Sequence, residues 1–421
     1  MRIVYVSQWF EPEPNNSKTE AFLNGLLADG AQLTILTGFP NYPGGKLYPG
    51  YRVRLFQRET LMGFDVHRVP LYPSHGRSSI GRIANYLSFF LSSLIYGLVR
   101  GRKFDLAYVY HPPITVGLAV ALWGWLWRVS FVIEIQDLWP DSVAASDMAG
   151  VGQLSRLLHG LCNFVYRRSA RIVVQCPGMK KKLLERGVPV NKVTVIYNWT
   201  DEQTFDAPAE FALPLLEKND SFNLVYAGNF GRAQNCETLI RAVALVSEIV
   251  PNLQLLMVGD GIEEERLREL AGKLEASNIT FHARVPRNRM AAIYAHADAL
   301  ICTLTAQDLF RYVIPTKTQA YLASGRPVLM SVSGDAARLI TEAGAGFAVP
   351  PEDPAALADA IIRMVQLSPE RRAAMGRAGR AYYDSHLSFT RGMAKTLDVI
   401  HEAAGDCSFE PLQASPALSK Q

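Results

Sequence analysis

Short β-branched runs alternate with amphipathic helical spacing through almost the whole chain, the pattern of parallel strands joined by crossover helices. In the first half, apolar runs predict strands at 3–6, 32–36, 66–69, 106–110, 131–135, 171–174 and 193–196. Between the first two, Phe22, Leu23, Leu26 and Leu27 share one face of a helix over 18–29, and Gly30 follows where a left-handed cap closes it. The alternation pauses in a polar, proline-containing segment at 201–221, then restarts with strands at 222–226, 253–258, 279–281, 299–303, 327–331 and 347–349. Pro286 opens one helix, and helical spacing runs over 354–367, 369–383 and 389–403. The expected fold is α/β, with two Rossmann-like doubly wound domains facing a central cleft. The expected divisions are 1–200, 201–387, a C-terminal helix at 388–404 returning toward the first domain, and a loose polar tail at 405–421.

Two apolar stretches pose a membrane question. Residues 83–99 carry no charge between Arg82 and Arg100, at the short edge of what spans a bilayer. Asn85, Ser88, Ser92 and Ser93 dilute the run, so it reads as an in-plane interfacial helix with an arginine at each end. The second stretch, 106–127, is broken by His111-Pro112-Pro113 into a strand and a helix. Its Trp123, Trp125 and Trp127 alternate and cannot share one helical face, which places at least one at an interface and leaves the others for the core.

Composition narrows the class. At 421 residues, 49% hydrophobic and 19% charged, the chain is globular and long enough for two or three domains. The net charge of +4 hides an asymmetry: residues 1–200 hold 22 Lys and Arg against 12 Asp and Glu, and the remainder hold 21 against 27. Between Arg52 and Lys103 nine basic residues and two acidic ones flank the apolar run. That distribution suits an anionic membrane surface better than nucleic acid, a solvated basic face being the plainer alternative. Five widely spaced cysteines without a Cys-x-x-Cys pair read as reduced thiols. The apolar run after Met1 is too short for a signal peptide, so the expected location is the cytoplasm, peripheral on the inner face of the cytoplasmic membrane.

The candidate chemistry lies at strand ends. Tyr226-Ala227-Gly228-Asn229-Phe230-Gly231 is a strand entering a small-residue turn ahead of a helix, followed by Arg232; Gly259-Asp260-Gly261 ends the next strand. Glycine turns at neighbouring strand ends, with free N–H groups at a helix start, suit a nucleotide diphosphate, although one such turn alone is as often tight packing. Thr316, Lys317 and Gln319 open a short helix, where the Lys317 charge could neutralise a diphosphate or be solvated surface. His111 follows one first-half strand and Asp137 and Asp141 follow another. Asp137 could act on an acceptor hydroxyl or fix its loop by a hydrogen bond. No Asp-x-Asp pair, Gly-x-x-x-x-Gly-Lys-Ser/Thr loop, nucleophile elbow or dinucleotide glycine fingerprint is present. No metal ion and no cofactor is therefore expected.

Taken together, Phe39-Pro40-Asn41-Tyr42-Pro43-Gly44, His111-Pro112-Pro113, Asp137-Leu138-Trp139-Pro140-Asp141, Asn198-Trp199, Tyr226-Ala227-Gly228-Asn229, Gly259-Asp260-Gly261 and Ser324-Gly325-Arg326-Pro327-Val328 resemble the family 4 glycosyltransferases. These are retaining enzymes of two-Rossmann, B-type (GT-B) architecture. The resemblance is greatest to the bacterial surface-polysaccharide subgroup that includes N-acetylfucosamine transferases, and it runs from Met1 to about His401. It implies a hexosyl- or N-acetylhexosaminyl-type transfer from a nucleoside-diphosphate sugar, UDP-linked by preference, to a polyprenyl-diphosphate-linked acceptor. By the same resemblance the donor binds the second domain and the acceptor the first, with His111 near the transferred sugar. The chain departs from the family at several points. Asn229 and Gln234 stand where the family has basic residues, Tyr312 and Ala320 where it has two glutamates, and Pro14-Asn15-Asn16-Ser17 lacks its glycine pair. Arg232, Arg311 or Lys317 are left to supply the positive charge. A nucleotide-sugar 2-epimerase and a non-catalytic scaffold of a polysaccharide-assembly complex are the competing readings.

Overall fold

The computed structural model describes residues 1–14, 18–75, 79–144, 151–206, 221–286 and 289–405. Asn15-Asn16-Ser17, Arg77, Cys407, the two residues after Pro286 where a helix is expected to open, most of the polar pause at 201–221 and nearly all of the expected tail lie outside the described residues. Two compact units are formed: Met1–Val173, Arg186–Thr194 and Thr396–Gln421 make the first, and Val174–Glu185 with Val195–Lys395 the second. The main crossing thus lies a few residues before the expected 200/201 division, and the segment 174–185 joins the second unit.

The first unit is built on an eight-stranded sheet of order β3-β4-β2-β1-β5-β6-β7-β8. Its strands are β1 (Arg2–Val6), β2 (Gln32–Gly38), β3 (Gln57–Leu61), β4 (Phe64–Val69), β5 (Leu106–His111), β6 (Ser130–Ile135), β7 (Arg171–Val174) and β8 (Val193–Val195). Every predicted strand is present, and β3 is an addition that runs antiparallel to β4 at the sheet edge. Its sequence Gln57-Arg58-Glu59-Thr60-Leu61 has no apolar face to announce it, because charge holds it. The fully buried Arg68 of β4 donates to Glu59 Oε1 at 2.6 Å, to the Gly38 carbonyl at 2.9 Å and to the Glu11 carbonyl at 2.5 Å. A buried guanidinium satisfied this way is a strong internal tie.

Three helices matter for the site: α1 (Lys18–Ala28), α2 (Ser79–Arg100) and α3 (Ile114–Trp127). Helix α2 contains the uncharged run. It buries Asn85, Phe89, Ser93, Tyr96 and Gly97 at spacings of three, four and one, and exposes Ile80, Ile83, Leu87, Leu91, Ile95, Leu98 and Val99 on the other side. The buried face meets α3 closely: a Cβ on Gly97 would fall 2.1 Å from Trp123 Cδ1, so only glycine permits the approach. Trp123 is buried there, Trp127 Nε1 donates to the Gly97 carbonyl at 3.1 Å, and Trp125 is exposed beneath the Arg168 guanidinium. The three tryptophans thus divide as their alternation requires.

The second unit holds a six-stranded, wholly parallel sheet of order β11-β10-β9-β12-β13-β14. The strands are β9 (Phe222–Ala227), β10 (Leu253–Val258), β11 (Ile279–His282), β12 (Ala299–Thr303), β13 (Val328–Ser331) and β14 (Gly346–Val349). Leu224, Tyr226, Leu255, Met257 and Ile301 pack with Leu239, Val243, Leu357 and Ile361 of the helices Cys236–Val246 and Pro354–Gln366. The last helix, Phe389–Gly405, starts in this unit, where Phe389 meets Trp199 edge-on at 5.4 Å. From Thr396 its residues belong to the first unit, with His401 paired to Asp29 and Glu402 to Arg171.

Candidate functional site

In the second unit, β9 and β10 are adjacent and parallel, in register from Leu253↔Phe222 to Val258↔Ala227, so their following turns emerge side by side. The turns are fastened to each other. Gly228 N donates to the Val258 carbonyl at 2.9 Å, Phe230 N to the Asp260 carbonyl at 2.7 Å, and Glu263 N to the Phe230 carbonyl at 3.0 Å. The glycines permit this contact: a Cβ on Gly259 would lie 1.8 Å from the Gly228 carbonyl oxygen, and one on Gly261 2.4 Å from that of Phe230. Several of the N–H groups that sequence reasoning left free for phosphate are therefore occupied by turn-to-turn bonds.

The helix Thr316–Ala323 begins beside the first glycine turn, and the Lys317 ammonium lies 3.9 Å from the centre of the Tyr226 ring. It is also the nearest atom to the open side of Gly228, 2.9 Å from where a Cβ would stand. The ammonium is buried, and among the described residues it has no hydrogen-bond partner. Desolvation holds its pKa below the ordinary lysine value. Tyr226 is fixed by its own hydroxyl, which donates to the Asn229 carbonyl at 2.8 Å. Thr316 is exposed at the start of the helix, and Asn229 is exposed on the turn. Gln319 is buried, and its amide, turned to donate, reaches the Pro315 and Thr316 carbonyls at 2.9 and 2.8 Å, so it braces the helix start from within. Gly231 and Arg232 border a separate cavity of about 250 Å³ with Glu263 and Arg266. Arg232 faces Glu263 at 3.5 Å, Asp260 is paired with Arg284 at 2.7 Å, and Arg311 lies 3.8 Å from Asp308, all at the surface.

In the first unit, β5 and β6 pair in register up to His111↔Ile135, which brings His111 and Asp137 to the ends of neighbouring strands. His111 is fully buried with its ring edge-on to Trp139 at 5.8 Å, and neither ring nitrogen has a partner among the described residues. Burial pushes its pKa down to about 3, leaving a neutral imidazole at pH 7. Asp137 is exposed to solvent, yet desolvation by the surrounding protein still raises its carboxyl above the usual range. Asp141 is engaged: Arg186 donates to it at 2.6 Å and to the Trp139 carbonyl at 2.7 Å, which fixes the Asp-Leu-Trp-Pro-Asp loop.

Sequence reasoning missed Glu13 and read Asn85 only as a dilution of the apolar run. Glu13, buried in a Glu-Pro-Glu-Pro run, accepts from the N–H groups of Phe10, Asn41 and Tyr42 at 3.0, 2.6 and 2.7 Å, and burial raises its carboxyl to about 7. Asn85 accepts from Gln8 Nε2 at 2.5 Å and donates to the Tyr72 carbonyl at 2.6 Å and to Asn41 Oδ1 at 3.3 Å. One polar side chain in the middle of an apolar helix thus binds the loops after β1, β2 and β4. An isolated asparagine in such a run was the available signal.

The family model described as "Glycosyl transferase 4-like domain" matches residues 17–199, and that described as "Glycosyl transferases group 1" matches residues 211–382. The chain is a group 1 glycosyltransferase. This glycosyltransferase is 24% identical over 274 residues to a probable glycosyltransferase, WbjE, of Pseudomonas aeruginosa, over 64% of the chain and 68% of that protein. It is 34% identical over 167 residues to a GDP-mannose-dependent monoacylated phosphatidylinositol monomannoside mannosyltransferase of Corynebacterium glutamicum, over 36% of the chain and 40% of that protein. Its fold is similar to the crystal structure of Anabaena HepE in complex with UDP, with a TM-score of 0.69, 15% identity, and coverage of 95% of this chain and 100% of that one. The two Rossmann-like units are those of the GT-B architecture.

Proposed function

We propose that this glycosyltransferase moves a hexosyl or N-acetylhexosaminyl group from a UDP-sugar to a polyprenyl-diphosphate-linked acceptor in surface-polysaccharide synthesis, with retention and without a metal ion. The observation that carries the donor half is the buried Lys317 ammonium, without a hydrogen-bond partner among the described residues, beside two interlocked glycine turns. Such a charge is held against desolvation most readily where an anion completes it. The UDP named with HepE supports the base, and the phosphatidylinositol monomannoside in the name of the Corynebacterium relative supports transfer to a lipid-linked acceptor. In the proposed step the bond from the anomeric carbon to the diphosphate oxygen breaks, and an acceptor oxygen bonds to the same face of that carbon. The acceptor proton leaves on the departing diphosphate. Lys317 and the start of its helix stabilise the charge developing there, Asp137 holds the attacking hydroxyl, and the neutral His111 faces the transferred sugar.

The test is a thermal-shift series against UDP- and GDP-sugars in excess EDTA, in which a ligand at a hundred times its dissociation constant adds roughly 2.7 kcal/mol. Stabilisation by UDP-sugars, with turnover preserved in EDTA, is expected. A chain indifferent to every nucleotide sugar would instead be a scaffold, and turnover restored only by magnesium would refute the metal-free step.

The membrane half rests on α2. Its exposed apolar row runs from Ile80 to Val99, roughly 28 Å at 1.5 Å per residue, with Arg100, Arg102 and Lys103 at one end. By length and composition Ser79–Lys103 could cross a bilayer. The bonds that Asn85 makes to Gln8 and Tyr72 favour a helix lying in the interface over one that crosses it. Leu87→Gln, Leu91→Gln and Ile95→Gln together are expected to release the protein from anionic liposomes while UDP affinity stays unchanged. Wild-type protein that ignores such liposomes at low salt would show that this row meets something other than lipid.

A further inference from the structure

Around the start of α2 the first unit gathers a group of side chains that the transfer step does not use. Trp9, Tyr42 and His75 form an aromatic cluster, with ring centres 5.1 Å apart for Trp9 and Tyr42, 4.6 Å for Tyr42 and His75, and 6.0 Å for Trp9 and His75. Gly45 closes the cluster: a Cβ there would lie 2.4 Å from the His75 nitrogen. Tyr86 stands edge-on to Trp139 at 6.1 Å, and Trp139 in turn meets His111. Arg82 lies near enough to both His75 and Tyr86 for its charge to act on each, and Asp137 acts on Tyr86 from another side. Arg82 and Tyr86 are one helical turn apart on α2, about 6 Å between their Cβ atoms.

The group is accessible and chemically unfinished. Trp9, Tyr42, His75, Arg82 and Tyr86 are each half-buried. Trp9 Nε1, His75 Nδ1, Arg82 Nε and the fully buried Gln8 Oε1 have no hydrogen-bond partner among the described residues. Buried polar atoms are ordinarily satisfied, so several unsatisfied ones on one aromatic wall point to a polar ligand. Aromatic faces with hydrogen-bonding edges suit a sugar ring, and a guanidinium suits phosphate oxygens. Beyond Arg82 begins the apolar row of α2.

We propose that this wall is the acceptor site, with the acceptor sugar on Trp9, Tyr42 and Tyr86 between Asp137 and Arg82, Arg82 holding the lipid diphosphate, and the prenyl chain leaving along α2. The proposal rests on the glycosyltransferase reading above and gives its acceptor half named residues. Arg82 is a binding residue in this scheme and takes no part in bond making.

The test is calorimetric titration of the full chain, saturated with UDP so that the donor side is filled, with geranyl diphosphate as the probe. Inorganic diphosphate and vesicles of phosphatidylglycerol serve as the competing sources of phosphate. Wild-type protein should bind geranyl diphosphate more tightly than inorganic diphosphate, and the vesicles should compete weakly. Arg82→Gln should weaken the probe at least tenfold, and Arg82→Lys, which keeps the charge and loses the planar fork, should fall between. Melting temperature and UDP affinity should be unchanged in both variants. Equal binding of the probe by wild type and Arg82→Gln overturns the proposal. Inorganic diphosphate or phosphatidylglycerol matching geranyl diphosphate overturns the lipid-diphosphate assignment. If UDP itself does not bind in the saturating step, the donor reading falls first, so the two failures are told apart within one series.

Discussion

Replacing Lys317 by methionine is expected to weaken UDP binding and to raise the melting temperature, two changes of opposite sense from one substitution. Among the described residues the buried ammonium has no hydrogen-bond partner, and the Tyr226 ring face at 3.9 Å and the nearby Cys302 and Cys236 favour it only weakly against desolvation. An apolar side chain of similar length removes that desolvation and stabilises the free protein by on the order of 1 kcal/mol. The bound diphosphate loses a charge-assisted hydrogen bond, about 1.5–3 kcal/mol or roughly 10–100-fold in affinity, and turnover falls further because the charge grows in the transition state. The same residue sets a pH dependence. Its folded pKa is depressed below the unfolded value of about 10.4, so the unfolded chain binds more protons between the two. Stability of the free wild-type protein should therefore rise as pH climbs through that window, and the rise should vanish in Lys317→Met. UDP favours the charged form, so binding at alkaline pH should take up protons, measurable by calorimetry in buffers of different ionisation enthalpy. Unchanged UDP and GDP affinities in the variant would make Lys317 a packing residue.

Asp137→Asn should leave UDP affinity intact and lower kcat by about 10²-fold or more. The substitution keeps shape and removes the charge that would hold the acceptor hydroxyl. Desolvation raises the Asp137 carboxyl above the ordinary range, so the wild-type rate should fall on the acid side at a higher pH than an unperturbed aspartate would give. The acid limb should disappear in the variant's residual activity. An Asp137→Asn enzyme with wild-type kcat would assign the residue to loop structure, the role Asp141 already has through Arg186.

The contrast between these two aspartates shows what a sequence carries. Both follow β6 within one motif, and nothing in their spacing told which is bound by a partner 45 residues away. The parallel strands were legible because buried β-branched runs have a local period; β3 was not, because Arg68 and Glu59 hold it by charge across the sheet. The glycine turns were legible as positions, whereas their mutual fastening depends on the register of β9 with β10. Gln319 looked like a ligand-facing polar residue at a helix start and is folded inward onto that start instead. Arg82 was read only as a flank of the apolar helix, and its grouping with Trp9 went unnoticed because their neighbours come from four separate loops and one helix, a convergence no linear pattern records.

Asn85 has a practical consequence. Proteins that touch membranes through an appended helix can be freed by trimming it, and the remaining body keeps its shape. Here the helix with the exposed apolar row also holds, through one amide, the segments carrying Gln8, Asn41 and Tyr72. A chain with 79–100 removed would lose the scaffold of its own loops. Changes to the apolar row have to be made on the outward positions, one side chain at a time, with Asn85 left in place.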